Sequence, residues 1–333
     1  MSNQLVSIII PIYKFNEFVI ESLLSIQSQT YIYFEVIIVA EFDIEILKKN
    51  SNFINDERFI FIQGFNKGIG AALNLGIDNS KGIYLSRMDA DDISLPERIG
   101  LQVSFIKKYN LDVCGTAIKA IGAKSRKYFF PCDSVTTELY AIFGSPLAHP
   151  TVLGKASIFK KFRYDESLTA CEDYELWTRM ITSGIKIGSL NKVLLYYRLH
   201  SNQAHQTSKS QQENEIIIVR NYLDNLGSKY EKIKNLISGE NYFRNKDIED
   251  KIVISLLNEI ILSIRFNEYV DESLSRLLTL LFIKCKIESL YPFYFYHKIC
   301  FNGYAKYNLL VSIYLLIPKK FIKLINTIKN LVF

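Results

Sequence analysis

A chain of 333 residues, 49% hydrophobic and 22% charged, can fold around one large core or two smaller ones. Its net charge of +6 is mild, and no interleaving of aromatic and basic residues marks a nucleic-acid module, so nucleic acid is not an expected partner. Five scattered cysteines (Cys114, Cys132, Cys171, Cys285 and Cys300) contain no C-x-x-C pair, which argues against a disulfide framework or structural zinc and fits a reducing cytoplasm.

Met1–Gln4 lead straight into a strand, with no basic n-region or cleavage site, so no signal peptide is read there. Val6–Ile10 is a β-branched run stopped by Pro11. Further apolar runs follow at 35–39, 59–62 and 83–85. Between them lie helical patterns at 18–26, 44–49 and 69–77. Continuous apolar strands belong to a sheet covered on both faces, and strand–helix alternation implies right-handed parallel crossovers. The expected fold class is therefore α/β: an open, Rossmann-like sheet with helices on both faces. From Gln206 the alternation stops and helix-period patterns dominate. This predicts a first domain over 1–205 and a smaller helical C-terminal region over 206–333.

Within that region, Tyr307–Ile317 is strongly apolar but only 11 residues long, too short to span a bilayer. After Pro318, lysines alternate with Phe321, Ile322, Leu324, Ile325 and Ile328 at helical spacing. Such a basic amphipathic helix can lie on a membrane interface or pack on its own domain with lysines in water.

The chemistry concentrates in Ser86-Arg87-Met88-Asp89-Ala90-Asp91-Asp92. Three carboxylates crowd four positions after the short strand Gly82–Leu85. Burying them is costly unless a cation sits between them. A strand ending in Asp-x-Asp presents its carboxylates at the carboxyl edge of a sheet, where open α/β sheets bind ligands. Oxygen-only donors suit Mg²⁺ or Mn²⁺, whose open positions take phosphate oxygens. A solvated acidic turn before the helix near Pro96 is the alternative, and Asp92 reads as a cap of that turn.

Other motifs come in a fixed order: Pro11-Ile12-Tyr13 closing strand one, Val39-Ala40-Glu41 closing strand two, then Asn66-Lys67-Gly68 and Arg87–Arg98. They continue with His149-Pro150-Thr151-Val152, Glu172-Asp173-Tyr174-Glu175-Leu176-Trp177 and Tyr196-Tyr197-Arg198-Leu199-His200. From about Val6 to Gln203 this series resembles family 2 of the inverting glycosyltransferases, which have the GT-A fold. The resemblance implies a UDP-sugar donor, a divalent metal (Mn²⁺ or Mg²⁺) and a saccharide acceptor. Asp89 would contact the donor ribose and sugar region. Asp89, Asp91 and His200 would hold the metal that bridges the diphosphate.

In the family, Pro11 and Tyr13 would cradle base and ribose. Glu41 stands where the family has an aspartate that accepts the uracil N–H, with Ala40 in place of the preceding aspartate. Asn66 and Lys67 would reach donor base or phosphate. Asp173 would take the acceptor proton, and Glu172 would contact donor or acceptor hydroxyls, although both also fit a helix start. Trp177 would pack in the core or under the acceptor sugar, and His149 would line the acceptor side or serve structure alone.

By the same analogy the enzyme builds bacterial surface polysaccharide on a lipid-diphosphate carrier, peripheral to the inner face of the cytoplasmic membrane. Two alternatives remain. A nucleotidylyltransferase needs a Gly-rich basic loop after strand one, where this chain has Pro11-Ile12-Tyr13-Lys14-Phe15. A non-catalytic sugar-nucleotide binder is suggested by Ala40-Glu41 and opposed by the intact Asp89, Asp91 and Asp173.

Overall fold

The computed structural model describes residues 4–49, 56–122, 125–142, 144–199 and 209–227. His200 and the segment 307–333 lie outside them. The first half contains β1 (Val6–Ile12), α1 (Glu17–Gln27), β2 (Phe34–Ala40), α2 (Ile44–Lys49), β3 (Phe59–Gln63), α3 (Ile69–Asp78) and β4 (Tyr84–Arg87). There follow β5 (Ile93–Ser94), α4 (Arg98–Tyr109), β6 (Val113–Gly122), β7 (Arg126–Tyr128) and α5 (Ser134–Tyr140). A 3-10 turn (His149–Thr151), β8 (Leu153–Lys155), α6 (Ala156–Phe162), α7 (Glu172–Thr182), β9 (Ile187–Leu199) and α8 (Lys209–Asn225) complete the described elements.

Every residue of β1 and β2 is buried. Their side chains alternate between two cores, as the two-residue period of a strand requires. Ile8, Ile10 and Ile12 pack with Val19, Leu23 and Ile26 of α1 and with Ile99, Val103 and Ile106 of α4. Ile9 joins Leu73 and Ile77 of α3 and Leu176, Trp177 and Met180 of α7 on the opposite face. Asn16 sets the start of α1, its Oδ1 accepting the N–H groups of Phe18 and Val19 at 3.0 and 3.3 Å.

Strands β3, β2, β1 and β4 are adjacent and parallel, as the alternation predicts. The other half is mixed. β8 inserts antiparallel between β4 and β6, and β9 runs parallel to β6 with β5 antiparallel on its far side. The antiparallel entry of β8 needs no crossover helix. The 3-10 turn just before it is held by α4, where Arg98 Nη1 and Gln102 Nε2 donate to the Pro150 and Thr151 carbonyls at 3.0 and 2.7 Å.

One irregularity opens the sheet. Pairing of β1 with β4 ends at Ile9–Arg87, while pairing with β2 continues to Ile12–Ala40. The Ile9 carbonyl accepts from Met88 on the β4 side and that of Ile12 from Glu41 on the β2 side. Pro11 therefore faces the side where pairing has stopped, and its missing N–H leaves no ladder bond unmade.

One compact unit runs Met1–Asn225 and includes α8. Ile218, Val219, Tyr222 and Leu223 of α8 are buried, and the Tyr222 hydroxyl donates to the Glu138 carbonyl at 2.9 Å. The second unit, Leu226–Phe333, lies outside the described residues apart from its first two. Among the described residues no helix is long and apolar enough to cross a membrane.

Candidate active site

Because β3, β2, β1 and β4 share one direction, their carboxyl ends share one edge of the sheet. This brings together Tyr13, Glu41, the loop Gly64–Lys67 and the acidic loop Asp89–Asp92. Glu41 is only 5% exposed, and its carboxylate accepts the backbone N–H of Asn66. Asn66 itself adopts φ 53°, a left-handed conformation that asparagine tolerates. The Asn66 backbone is thus a partner of Glu41. Lys67 is exposed, with its ammonium 6.0 Å from the Phe65 ring centroid. Tyr13 is 47% exposed at the mouth. Partial burial, then the charges of Glu41 and Glu172, push its phenol up to about 12. Its hydroxyl therefore lies within electrostatic reach of both ends of the site. Pro11 is a buried sheet residue opposite Val39.

Beyond β4, Arg87 is buried. It grips Asp89 through both guanidinium nitrogens, Nη2 to Oδ1 at 2.6 Å and Nη1 to Oδ2 at 2.9 Å. The loop is strapped from two sides. Ser22 of α1 donates to the Asp89 carbonyl at 3.2 Å. Arg198 of β9 donates to the Asp91 carbonyl at 2.9 Å, pairs with Glu21 at 2.5 Å and stacks 4.2 Å from the Phe18 ring centroid.

Asp92 is fully buried and is not a helix cap. Its Oδ1 accepts the Arg198 backbone N–H at 2.9 Å, and the N-cap of α4 is Glu97, which makes no side-chain cap bond. The following turn is set by backbone bonds, which frees Asp92 to fold inward onto β9. Burial, then repulsion from Asp89, raises its carboxyl to about 9. Burial also raises Asp89, against the pull of Arg87.

Glu172 and Asp173 are the first two residues of α7. Its cap is Cys171, in the left-handed region at φ 64°, and neither carboxylate caps the helix. Burial raises the Asp173 carboxyl above its usual range, against the Tyr174 N–H, the Arg87 charge and the Ser145 hydroxyl, which donates to Oδ2 at 3.3 Å. Burial and the neighbouring Asp173 raise Glu172 as well, with Arg87 pulling the other way. A buried carboxylate whose proton affinity is raised is suited to general-base work.

His149 opens the 3-10 turn and faces the start of α7. Its Nδ1 is 3.7 Å from Glu172 Oε1, and Nε2 is 2.9 Å from the Tyr164 hydroxyl. Burial, then the Arg87 charge, drives it well below its ordinary pKa, so it is neutral. Trp177 is fully buried, with its ring 6.0 Å from His149 and 6.4 Å from Phe159. It props the histidine from the core and is no platform for a sugar.

Donor atoms of His149, Glu172 and Asp173 lie within 4.8 Å of one another, a spacing that fits a cation. The Arg87 charge acts on all three, however, and opposes one there. The Asp89–Asp92 loop carries carboxylate oxygens of the kind a hard divalent ion takes, with Asp89 gripped by Arg87 and Asp92 turned inward onto β9. The motifs assign no role to Arg87, Ser145, Tyr164 or Arg198. Arg87 and Arg198 carry a signal all the same: an arginine in a buried strand beside acids must be paired. Ser145 and Tyr164 carry none.

Residues 7–162 match the family model of glycosyl transferase family 2. An uncharacterised glycosyltransferase of Methanocaldococcus jannaschii is 32% identical over 220 residues, which span 60% of this chain and 72% of that protein. The O-antigen biosynthesis glycosyltransferase WbnJ of Escherichia coli is 28% identical over 227 residues, spanning 66% of this chain and 89% of WbnJ. Crystal structures of S. aureus TarS residues 1–349 share the fold. The complex with UDP aligns with a TM-score of 0.57 at 18% identity, covering 85% of this chain and 87% of that one. The complex with UDP-GlcNAc aligns with a TM-score of 0.54 at 18% identity, covering 88% and 87%.

Proposed function

This chain belongs to glycosyl transferase family 2 and is a glycosyltransferase, and we propose that it moves a hexose or N-acetylhexosamine from a UDP-sugar to a saccharide acceptor with inversion. The observation that carries this is the gathering of Asp89 and the pair Glu172/Asp173 around buried Arg87, with Asp91 two residues along the same loop. The guanidinium pairs with Asp89 and its charge reaches Glu172 and Asp173. Donor diphosphate and acceptor hydroxyl would thereby meet at one place.

Asp173 takes the proton from the acceptor hydroxyl. The acceptor oxygen bonds to the anomeric carbon, and the bond from that carbon to the β-phosphate oxygen breaks, its electron pair leaving with UDP. A Mg²⁺ or Mn²⁺ ion held by Asp91 and Asp89, with His200 as a further ligand, would neutralise charge developing on the diphosphate. Tyr13 and Glu41 bind the nucleoside end, with Asn66 and Lys67 beside them, and Glu172 orients hydroxyls. The UDP-bearing TarS structures support the choice of nucleotide, and the O-antigen biosynthesis relative supports a place in bacterial surface-polysaccharide assembly, where the acceptor we propose is lipid-diphosphate-linked. The basic amphipathic pattern after Pro318 supports docking on the cytoplasmic membrane surface.

Calorimetry tests the donor and metal assignments together. Wild type should bind UDP more tightly with Mn²⁺ than with EDTA, and Asp91→Asn should lose that difference. Equal UDP affinity with and without metal in wild type would remove the metal role.

A further inference from the structure

The loop after β3 holds Glu41 in an unusual way. A side-chain carbon on Gly64 would sit 2.6 Å from both Cδ and Oε1 of Glu41 and 2.7 Å from Oε2. A Cβ there would push the Glu41 carboxylate, the end of a flexible side chain, out of its present position. Gly64 is not among the left-handed residues, which among the described glycines are Gly68, Gly122, Gly184 and Gly227. Its N–H continues the ladder by donating to the Ala40 carbonyl at 2.8 Å. The backbone therefore does not need glycine at 64; the space above it does. Two residues on, the left-handed turn at Asn66 brings its N–H back onto the Glu41 carboxylate. A side chain one methylene longer than aspartate is folded against the bare Cα of Gly64 and pinned by one backbone donor. The carboxylate keeps capacity to accept a further N–H.

Resting on the proposal that the donor carries uridine, we propose that Gly64 is a specificity-determining residue: it forms a size-matched pair with Glu41 that fixes the carboxylate as the acceptor selecting uracil over cytosine. Uracil offers N3–H, which donates to a carboxylate. Cytosine presents a lone pair at N3 and meets the same oxygen as a repulsion. Tyr13 follows the neighbouring strand end, close enough for the Glu41 charge to act on its phenol. Discrimination of this kind depends on the acceptor being held in place, and Gly64 together with the Asn66 N–H holds it.

The test is calorimetry of UDP and CDP with Mn²⁺ on the full chain as wild type, Gly64→Ala, Glu41→Asp and the double variant, with melting temperatures recorded. Gly64→Ala should weaken UDP binding at least about tenfold, the scale of a displaced buried polar partner, and shrink the UDP-to-CDP ratio. In the double variant the shorter carboxylate clears the new methyl group, and UDP affinity should return to within about threefold of Glu41→Asp alone, as coupled neighbours require. Should Gly64→Ala fail to fold, Glu41→Gln carries the test, because it keeps length but presents an amide; loss of the UDP preference supports the pair and its retention overturns it. A wild type that prefers UDP together with a folded Gly64→Ala protein that prefers it equally overturns the pair alone. A wild type that binds no uridine nucleotide overturns the donor assignment and the pair with it.

Discussion

Arg87 is the residue around which the charges of the site balance. It is buried, grips Asp89 with two bonds, and holds down the proton affinity of Glu172 and Asp173, which burial alone would raise further. The acids are legible in the sequence because carboxylates crowded after an apolar strand are costly to bury without a positive partner. The neutral partners of Asp173 and His149 are not legible, since Ser145 and Tyr164 come from loops with no local pattern. Asp92 has the sequence position of a cap, yet it is a buried acceptor for β9. Asp92 also gives a prediction in pH. Its carboxyl titrates near 9 in the fold, against an ordinary value of 3.8. Between those values the folded chain holds a proton that the unfolded chain has lost, so this contribution to stability is fully present below the lower value and disappears as pH rises toward the upper one. Asp89, Glu172 and Asp173 shift in the same direction, so the comparison must isolate one group. With EDTA present, Asp92→Asn keeps an acceptor for the Arg198 N–H and should show a smaller loss of melting temperature from pH 5 to pH 9 than wild type. Equal losses would contradict the buried, protonated state.

At the scale of elements, the parallel half of the sheet follows from four apolar strands alternating with helices. The antiparallel half does not, because β8 has three residues and β7 three, too few to carry a period. The polar surface of α8 resembles the tail in composition, while the burial of Ile218, Val219, Tyr222 and Leu223 ties it to the sheet domain. Burying a large apolar side chain contributes about 1.5–3 kcal/mol, and four of them are a large share of a stability of about 5–15 kcal/mol. A truncation series separates the two parts of the C-terminal region. A chain ending at 205 should lose cooperative melting, whereas one ending at 317 should keep it, turn over a short soluble acceptor, and no longer float with anionic vesicles. Flotation of the shortened chain as well as the full one would remove the proposed membrane role of 318–333.

In the whole molecule, the fold's contribution is to place groups distant in sequence around one opening. The parallel strands deliver Tyr13, Glu41, Gly64 and Asp89 to one edge, and the split of β1 from β4 after Ile9–Arg87 makes room between them. The return through the 3-10 turn and α7 brings His149, Glu172 and Asp173 to the same guanidinium. On the proposed reading, a base on one side and the diphosphate site on the other would commit the chemistry to a single in-line displacement. The most direct test is the anomeric configuration of the product formed from an α-linked UDP-hexose with Mn²⁺, read by NMR, with Asp173→Asn as the control. A β-glycoside is expected from wild type, with kcat lowered at least ~100-fold in the variant, as for a lost general base. An α-glycoside, or a β-glycoside formed as fast by Asp173→Asn as by wild type, would contradict the mechanism.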